Sequence, residues 1–175
     1  AVYASSVMGF TLTDTLIMVL LVNITAALGA FGFGYVQDAL GHKAALALTL
    51  LLWIAMVAVA AFAQTRTVFW IAANLAGLAM GSSQSAGRAL VAVMAPEKKL
   101  ARFYGIWNMA LWLSAVIGPI TYGSVTWMTG NNQRLAIVVT GVFFVAGLLT
   151  LFLLKVERAR QLAHAQNNLT DKNDA

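Results

Sequence analysis

A chain of 175 residues that is 61% hydrophobic, only 10% charged and +0.80 in mean hydropathy does not fit a soluble globular fold, which carries roughly 25% charged residues. The net charge of +5 needs no nucleic acid to explain it, because no basic, aromatic-interleaved soluble surface accompanies it and attraction to anionic headgroups suffices. Zero cysteines leave no disulfide framework, thiolate metal site or cysteine nucleophile.

A bilayer core about 30 Å thick needs about 20 mostly apolar residues per helix. Five runs free of Asp, Glu, Lys and Arg meet that length: 15–37, 44–65, 67–87, 103–133 and 135–154. The fold expected is therefore all-α, a polytopic transmembrane helical bundle with five membrane-spanning helices at about 14–36, 43–63, 67–94, 101–128 and 134–155. Residues 1–13 read as the remnant of an outer loop. The opening "AVYASSVMGF" has no initiator Met and no basic n-region, so an outside N-terminus requires something upstream to deliver it.

The first span offers small residues at helical spacing, Ala26, Ala30 and Gly34, where a neighbouring helix can approach closely. The loop "GYVQDALGHKAAL" then concentrates Asp38, His42 and Lys43 between two apolar runs. In the third span Asn74, Gly77, Gly81, Gln84, Ser85 and Arg88 follow steps of three and four and share one face. Such a stripe points to a bundle interior or a wet cavity. Two readings stand for it: a glycine packing seam with Arg88 snorkelling to the inner surface, or a functional face centred on Gln84, whose amide needs a partner in lipid. Asn74 and Asn23 raise the same question.

The fourth span carries Phe103, Tyr104 and Trp107 at one end and Trp127 at the other, where headgroup belts place aromatics. Gly118 and Pro119 interrupt its middle and predict a kink, since proline removes a backbone hydrogen bond. After the fifth span, residues 156–175 read as a cytoplasmic tail, helical to about Ala165 and disordered beyond. The tail contains an Asn168-Leu-Thr triplet of glycosylation type, which a cytoplasmic location leaves unmodified.

Orientation follows from Lys and Arg. Inner segments 37–43, 88–102 and 155–175 hold nine of them, against Arg66 and Arg134 on the other side, which favours a cytoplasmic C-terminus. No Asp or Glu lies deep in a span, so a proton-relay carboxylate is not found here. His42 and His164 fall in a loop and the tail, and no metal site or cofactor is indicated. A membrane-embedded enzyme would need convergent nucleophiles, acids, bases or a metal, and the carboxylates sit at edges or in the tail. The chain reads as a non-enzyme. A stand-alone five-helix assembly or regulatory subunit, and a channel, remain as rival classes.

The spacing of Gly34, Asp38, Gly41 and Lys43 resembles the cytoplasmic signature loop of the major facilitator superfamily, with Ala39 and His42 where arginines are usual. Three further segments, "GSSQSAGRALVAVMAP", "FYGIWNMALWLSAVIGPITYG" and "GNNQRLAIVVTGVFFVAGLL", together resemble its vacuole-effluxer-like branch over nearly the whole chain. That resemblance implies twelve helices in two six-helix halves, this chain supplying the eighth to twelfth. The implied partners are the lipid bilayer, a small-molecule solute and a missing N-terminal half of the same polypeptide. The function implied is secondary active transport, possible substrates including amino acids, by rocking about a midplane site, in a bacterial inner membrane. Asp38 and its loop would then hold an inner gate, and a tight turn at Gly41 is the structural alternative. Gln84, Asn108 and Trp112 are the candidate cavity residues, with Ser85 and Arg88 as an inner-end polar stripe.

Overall fold

The computed structural model describes residues 9–174, with side chains through Ala163 and at Ala165 and Asn167. The first eight residues of the expected outer loop, His164 and the Asn168 triplet's side chains lie outside that description. Every regular element among the described residues is helical.

Helix α1, Leu12–Leu40, opens on a reciprocal cap. Thr11 Oγ1 accepts from the Asp14 N–H at 3.2 Å, and the Asp14 carboxylate accepts from the Thr11 N–H at 3.0 Å, so two otherwise orphaned donors are satisfied. The helix runs on through Asp38 and stops at Gly41, whose φ of 83° costs a residue without Cβ little. Helix α2, His42–Ala61, begins at the next residue. The loop expected between the first two spans is thus a single glycine, because Asp38, Ala39 and Leu40 keep helical geometry.

Helix α3, Arg66–Met94, is capped by Thr65 Oγ1, which accepts from the Val68 N–H at 3.3 Å. Pro96 prevents its continuation, and a 3-10 turn at Glu97–Lys99 leads into α4, Leu100–Met128. Helix α4 is continuous through Gly118 and Pro119, where proline cannot donate a hydrogen bond to the Ala115 carbonyl. A turn with positive φ at Gly130 and Asn131 precedes α5, Gln133–Leu153, whose first turn is capped by Asn132.

The last helix, α6, Val156–Asp174, corrects the expected disorder beyond Ala165. No Gly or Pro interrupts it, and it is docked: Val156 and Ala163 are buried, and the Asn167 side-chain oxygen accepts from the Glu97 N–H at 3.1 Å.

Helix α3 is the hub, packing most extensively on α1 and then on α2, while α2 packs on α5 and α5 on α4. Its buried residues are Ala72, Gly77, Ala79, Gly81, Ser82, Ala86, Gly87 and Leu90, nearly all small. Among the described residues four segments are long and apolar enough to cross a membrane by length and composition, Leu12–Leu40, His42–Ala61, Glu97–Met128 and Gln133–Leu153, and α3 is not among them. Its low apolarity has the same origin as its central place: Gly, Ala, Ser and the polar stripe occupy positions that lipid-facing helices give to Leu, Ile and Val. Helix α4 is the opposite case, with no buried residue.

Candidate functional site

The glycines and Ser85 of the α3 stripe face α1, and the two helices run in the same direction, Gly77 meeting Val22 and Thr25 at one level while Ser85 meets Gln37 nearer the Gly41 end. A Cβ on Gly77 would collide with Thr25 Oγ1 and the Val22 carbonyl, and one on Gly81 with the Ala26 carbonyl. From the other side, a Cβ on Gly29 would lie 2.5 Å from the Leu78 carbonyl oxygen. Backbone therefore touches backbone across this seam. Of the small residues expected to make it, Ala26 does so and Ala30 borders the cleft below, but Gly34 meets nothing within 4 Å; Gly29 takes that place.

Below the seam the helices part into an open cleft of about 560 Å³ lined by Ala30, Gln84, Ser85 and Arg88. Gln84 and Arg88 are exposed there. Behind Ser85 lies a three-residue chain of polar contacts. The buried Gln37, 6% exposed, directs Nε2 to Ser85 Oγ over a long 3.4 Å and Oε1 to His42 Nδ1 at 3.1 Å. Asn74 and Asn23 do not join it. Each donates back to its own helix, Asn74 to the Trp70 carbonyl at 2.9 Å and Asn23 to the Val19 carbonyl at 2.8 Å.

The other candidate cavity residues are placed elsewhere. Asn108 and Trp112 occupy an exposed face of α4, Trp112 at 75%, and neither lines the cleft with Gln84. The residue that joins α4 to α3 is Trp107: its ring fills the niche left by Gly87, and a Cβ there would overlap the indole. The Trp107 Nε1 is buried without a hydrogen-bond partner among the described residues. Tyr104 adds a tie, its hydroxyl donating to the Arg88 carbonyl at 3.1 Å.

The signature-loop residues also separate by role. Gly41 makes the one-residue turn, and Asp38 is exposed in the last turn of α1, where the negative end of the helix dipole opposes a carboxylate. No partner for it is found among the described residues. Lys43 turns away from Asp38 to the end of α5 and donates to the carbonyls of Phe152 at 3.2 Å and Leu154 at 2.7 Å.

A second cavity, about 450 Å³, lies among α2, α3, α4 and α5 and is walled by Trp53, Phe69, Tyr122 and Phe144 with almost no polar surface. It suits packing or lipid, not recognition of a polar solute. Trp53 stacks on Phe144 at 4.8 Å between ring centroids and holds α2 to α5.

The sequence that builds this glycine seam, cleft and one-residue turn matches a family model. Residues 1–164 match the family described as vacuole effluxer Atg22 like. The chain belongs to that family. It is also similar to an uncharacterized MFS-type transporter, YxiO, of Bacillus subtilis (strain 168), at 23% identity over 162 residues, which cover 93% of this chain and 38% of the relative. The chain thus spans well under half the length of that relative.

The signal for the family lay in the Gly, Pro and Gln/Ser/Arg positions of α3 and α4. The buried Gln37 was not legible as a site residue: it stands inside the quoted loop, but only the helical continuation through Leu40 turns it inward onto Ser85. Trp107 likewise read as a headgroup-belt aromatic, and its role in the Gly87 niche depends on the pairing of α3 with α4.

Proposed function

We propose that this chain forms most of one half of a secondary active transporter that moves a small solute across a membrane by rocker-switch alternating access. Membership of a vacuole-effluxer-like family and likeness to an MFS-type transporter support membrane transport. The observation that carries the rest is α4: a helix of 29 residues with no buried residue, bearing Asn108 and Trp112 on a face left exposed by the described residues. A second half of the polypeptide is the natural cover for it, and the solute path then runs between the halves.

In this reading α3 crosses the membrane as a fifth span, sheltered from lipid by α1 and α2. The five helices correspond to the eighth to twelfth of a twelve-helix carrier, with the C-terminus cytoplasmic, in a bacterial inner membrane. Asp38, Gly41 and the start of α2 belong to the inner gate. Gln84 lies on the solute path, with Asn108 and Trp112 contributing from α4, and amino acids are the substrates to try first. The DNA upstream of the codon for Ala1 tests the architecture: an open frame with about seven further apolar spans supports it, and a start codon immediately upstream would favour a five-helix assembly or regulatory subunit. Counterflow of radiolabelled amino acids into proteoliposomes containing the full-length protein tests the activity, and no flux above empty liposomes for any of them overturns the choice of substrate.

A further inference from the structure

The contacts at the inner end of the α1–α3 seam have a direction. Gln37 presents its carbonyl oxygen to His42 Nδ1, so that ring nitrogen must carry a hydrogen to bond it. The other end of the same amide donates from Nε2 to Ser85 Oγ. A hydroxyl has one hydrogen to give and lone pairs to receive. With Ser85 Oγ accepting from Gln37, the Ser85 hydrogen is left to donate into the cleft. Beside it, among the described residues, stand the Arg88 guanidinium, with no carboxylate at salt-bridge distance, and the Gln84 amide, whose NH2 group meets no acceptor. The Arg88 backbone is fixed independently by the Tyr104 hydroxyl.

Three kinds of donor and no acidic group therefore line one space. Its volume, about 560 Å³, lies in the range of small-molecule sites. Arg88 is six residues from the end of α3, about 9 Å along the axis, which puts the cleft at the inner mouth of the seam and not at its middle. From this geometry we infer that Gln84, Ser85 and Arg88 form an oxyanion-binding site that takes the carboxylate of a small solute, with Gln37 and His42 as positioning residues that fix the direction of the Ser85 hydroxyl. The assignment rests on the transport reading for its biological meaning, and it names the chemical class that such a carrier handles at its inner mouth. A planar guanidinium with a flanking O–H and N–H matches two carboxylate oxygens. A lipid headgroup phosphate offers the same oxygen chemistry and is the competing occupant.

Binding can be separated from flux. The full-length protein in dodecyl maltoside, which contains no phosphate, is titrated with acetate and with neutral acetamide. Emission of Trp107, which packs at Gly87 beside the site, is read against a Trp107→Phe control. A saturable change with acetate and none with acetamide is expected. Arg88→Gln should raise the acetate dissociation constant at least about tenfold and Arg88→Lys about threefold. Ser85→Ala and Gln37→Leu should each raise it about three- to tenfold, Gln37→Leu without a change in the cleft itself. Unchanged melting temperatures establish that the variants are folded, and Arg88→Lys serves where Arg88→Gln is not. Equal responses to acetate and acetamide, or an unaltered constant in the folded Arg88 variants, would overturn the site. Repeating the titration in phosphatidylglycerol nanodiscs decides the occupant: a retained response supports a solute carboxylate, and its loss overturns that assignment in favour of the headgroup. Solute flux that persists in Arg88→Gln would sink this inference and leave the transport reading standing, whereas acetate binding without any flux does the reverse.

Discussion

Lys43 at the start of α2 caps the end of α5: its ammonium donates to the carbonyl oxygens of Leu154 at 2.7 Å and Phe152 at 3.2 Å, more than a hundred residues along the chain. Carbonyls in the last turn of a helix lack intrahelical donors and carry the negative end of its dipole, so a cation there satisfies both. Arg134 does similar work at the opposite end of the bundle, donating to the Ala63 carbonyl at 3.0 Å. Lys43→Met should therefore lower stability by about 1–2 kcal/mol, seen as a reduced melting temperature in detergent, and Lys43→Arg should keep most of it. Equal melting of wild type and Lys43→Met would mean that the cap contributes nothing.

The glycines of the chain divide sharply by what surrounds them. Gly81→Ala has no room against the Ala26 carbonyl and must push α1 from α3, at a cost of about 1–3 kcal/mol. Gly34→Ala sits in open space within a helix and should be neutral or add up to about 1 kcal/mol. A loss for Gly81→Ala and none for Gly34→Ala, measured by chemical denaturation in mixed micelles, are expected, and equal losses would place the seam elsewhere.

Phe10 closes the end of the bundle where α1 and α3 begin. It is 6% exposed, lies 5.7 Å from the Phe69 ring and 5.8 Å from Trp70, and is covered by the Arg66 guanidinium 5.4 Å from its centroid. Phe10→Ala should cost about 2–3 kcal/mol through lost burial and shift Trp70 emission to the red as water reaches the indole. An unshifted spectrum would argue that the segment before α1 does not hold this position.

Orientation can be tested because the chain has no cysteine. Gln64, between α2 and α3, and Gln161 in α6 are both exposed and lie at opposite ends of the bundle. Gln64→Cys should react with an impermeant maleimide added to intact cells, and Gln161→Cys only after lysis. The reverse pattern would invert the topology read from the Lys and Arg distribution.

The all-helical character and the family were legible in the sequence, because apolar run lengths and the Gly, Pro and Gln/Ser/Arg positions of α3 and α4 survive translation into one dimension. Which neighbour each face meets was not. Periodicity put Gly77, Gly81, Gln84 and Arg88 on one side of α3, but the glycines serve a backbone seam and the longer side chains a cleft below it. That division depends on where α1 diverges from α3. Asn108 and Trp112 share a face by spacing, yet α4 turns that face outward and presents Trp107 to α3 instead. Composition also counted α3 as one more apolar span, while its fill of glycine, alanine and serine comes from its place among other helices.

The one-residue turn at Gly41 leaves no slack between α1 and α2, and the seam of touching backbones fastens α3 to α1. A displacement of α1 against α3 must therefore be felt at the Gln37–Ser85 contact and, across Gly41, at His42. The joint between α3 and α4, Ala95–Lys99, is a proline followed by a short 3-10 turn. Asn167 of α6 holds that joint at the Glu97 N–H, so a movement of α4 relative to α3 has to carry α6 with it or break this contact.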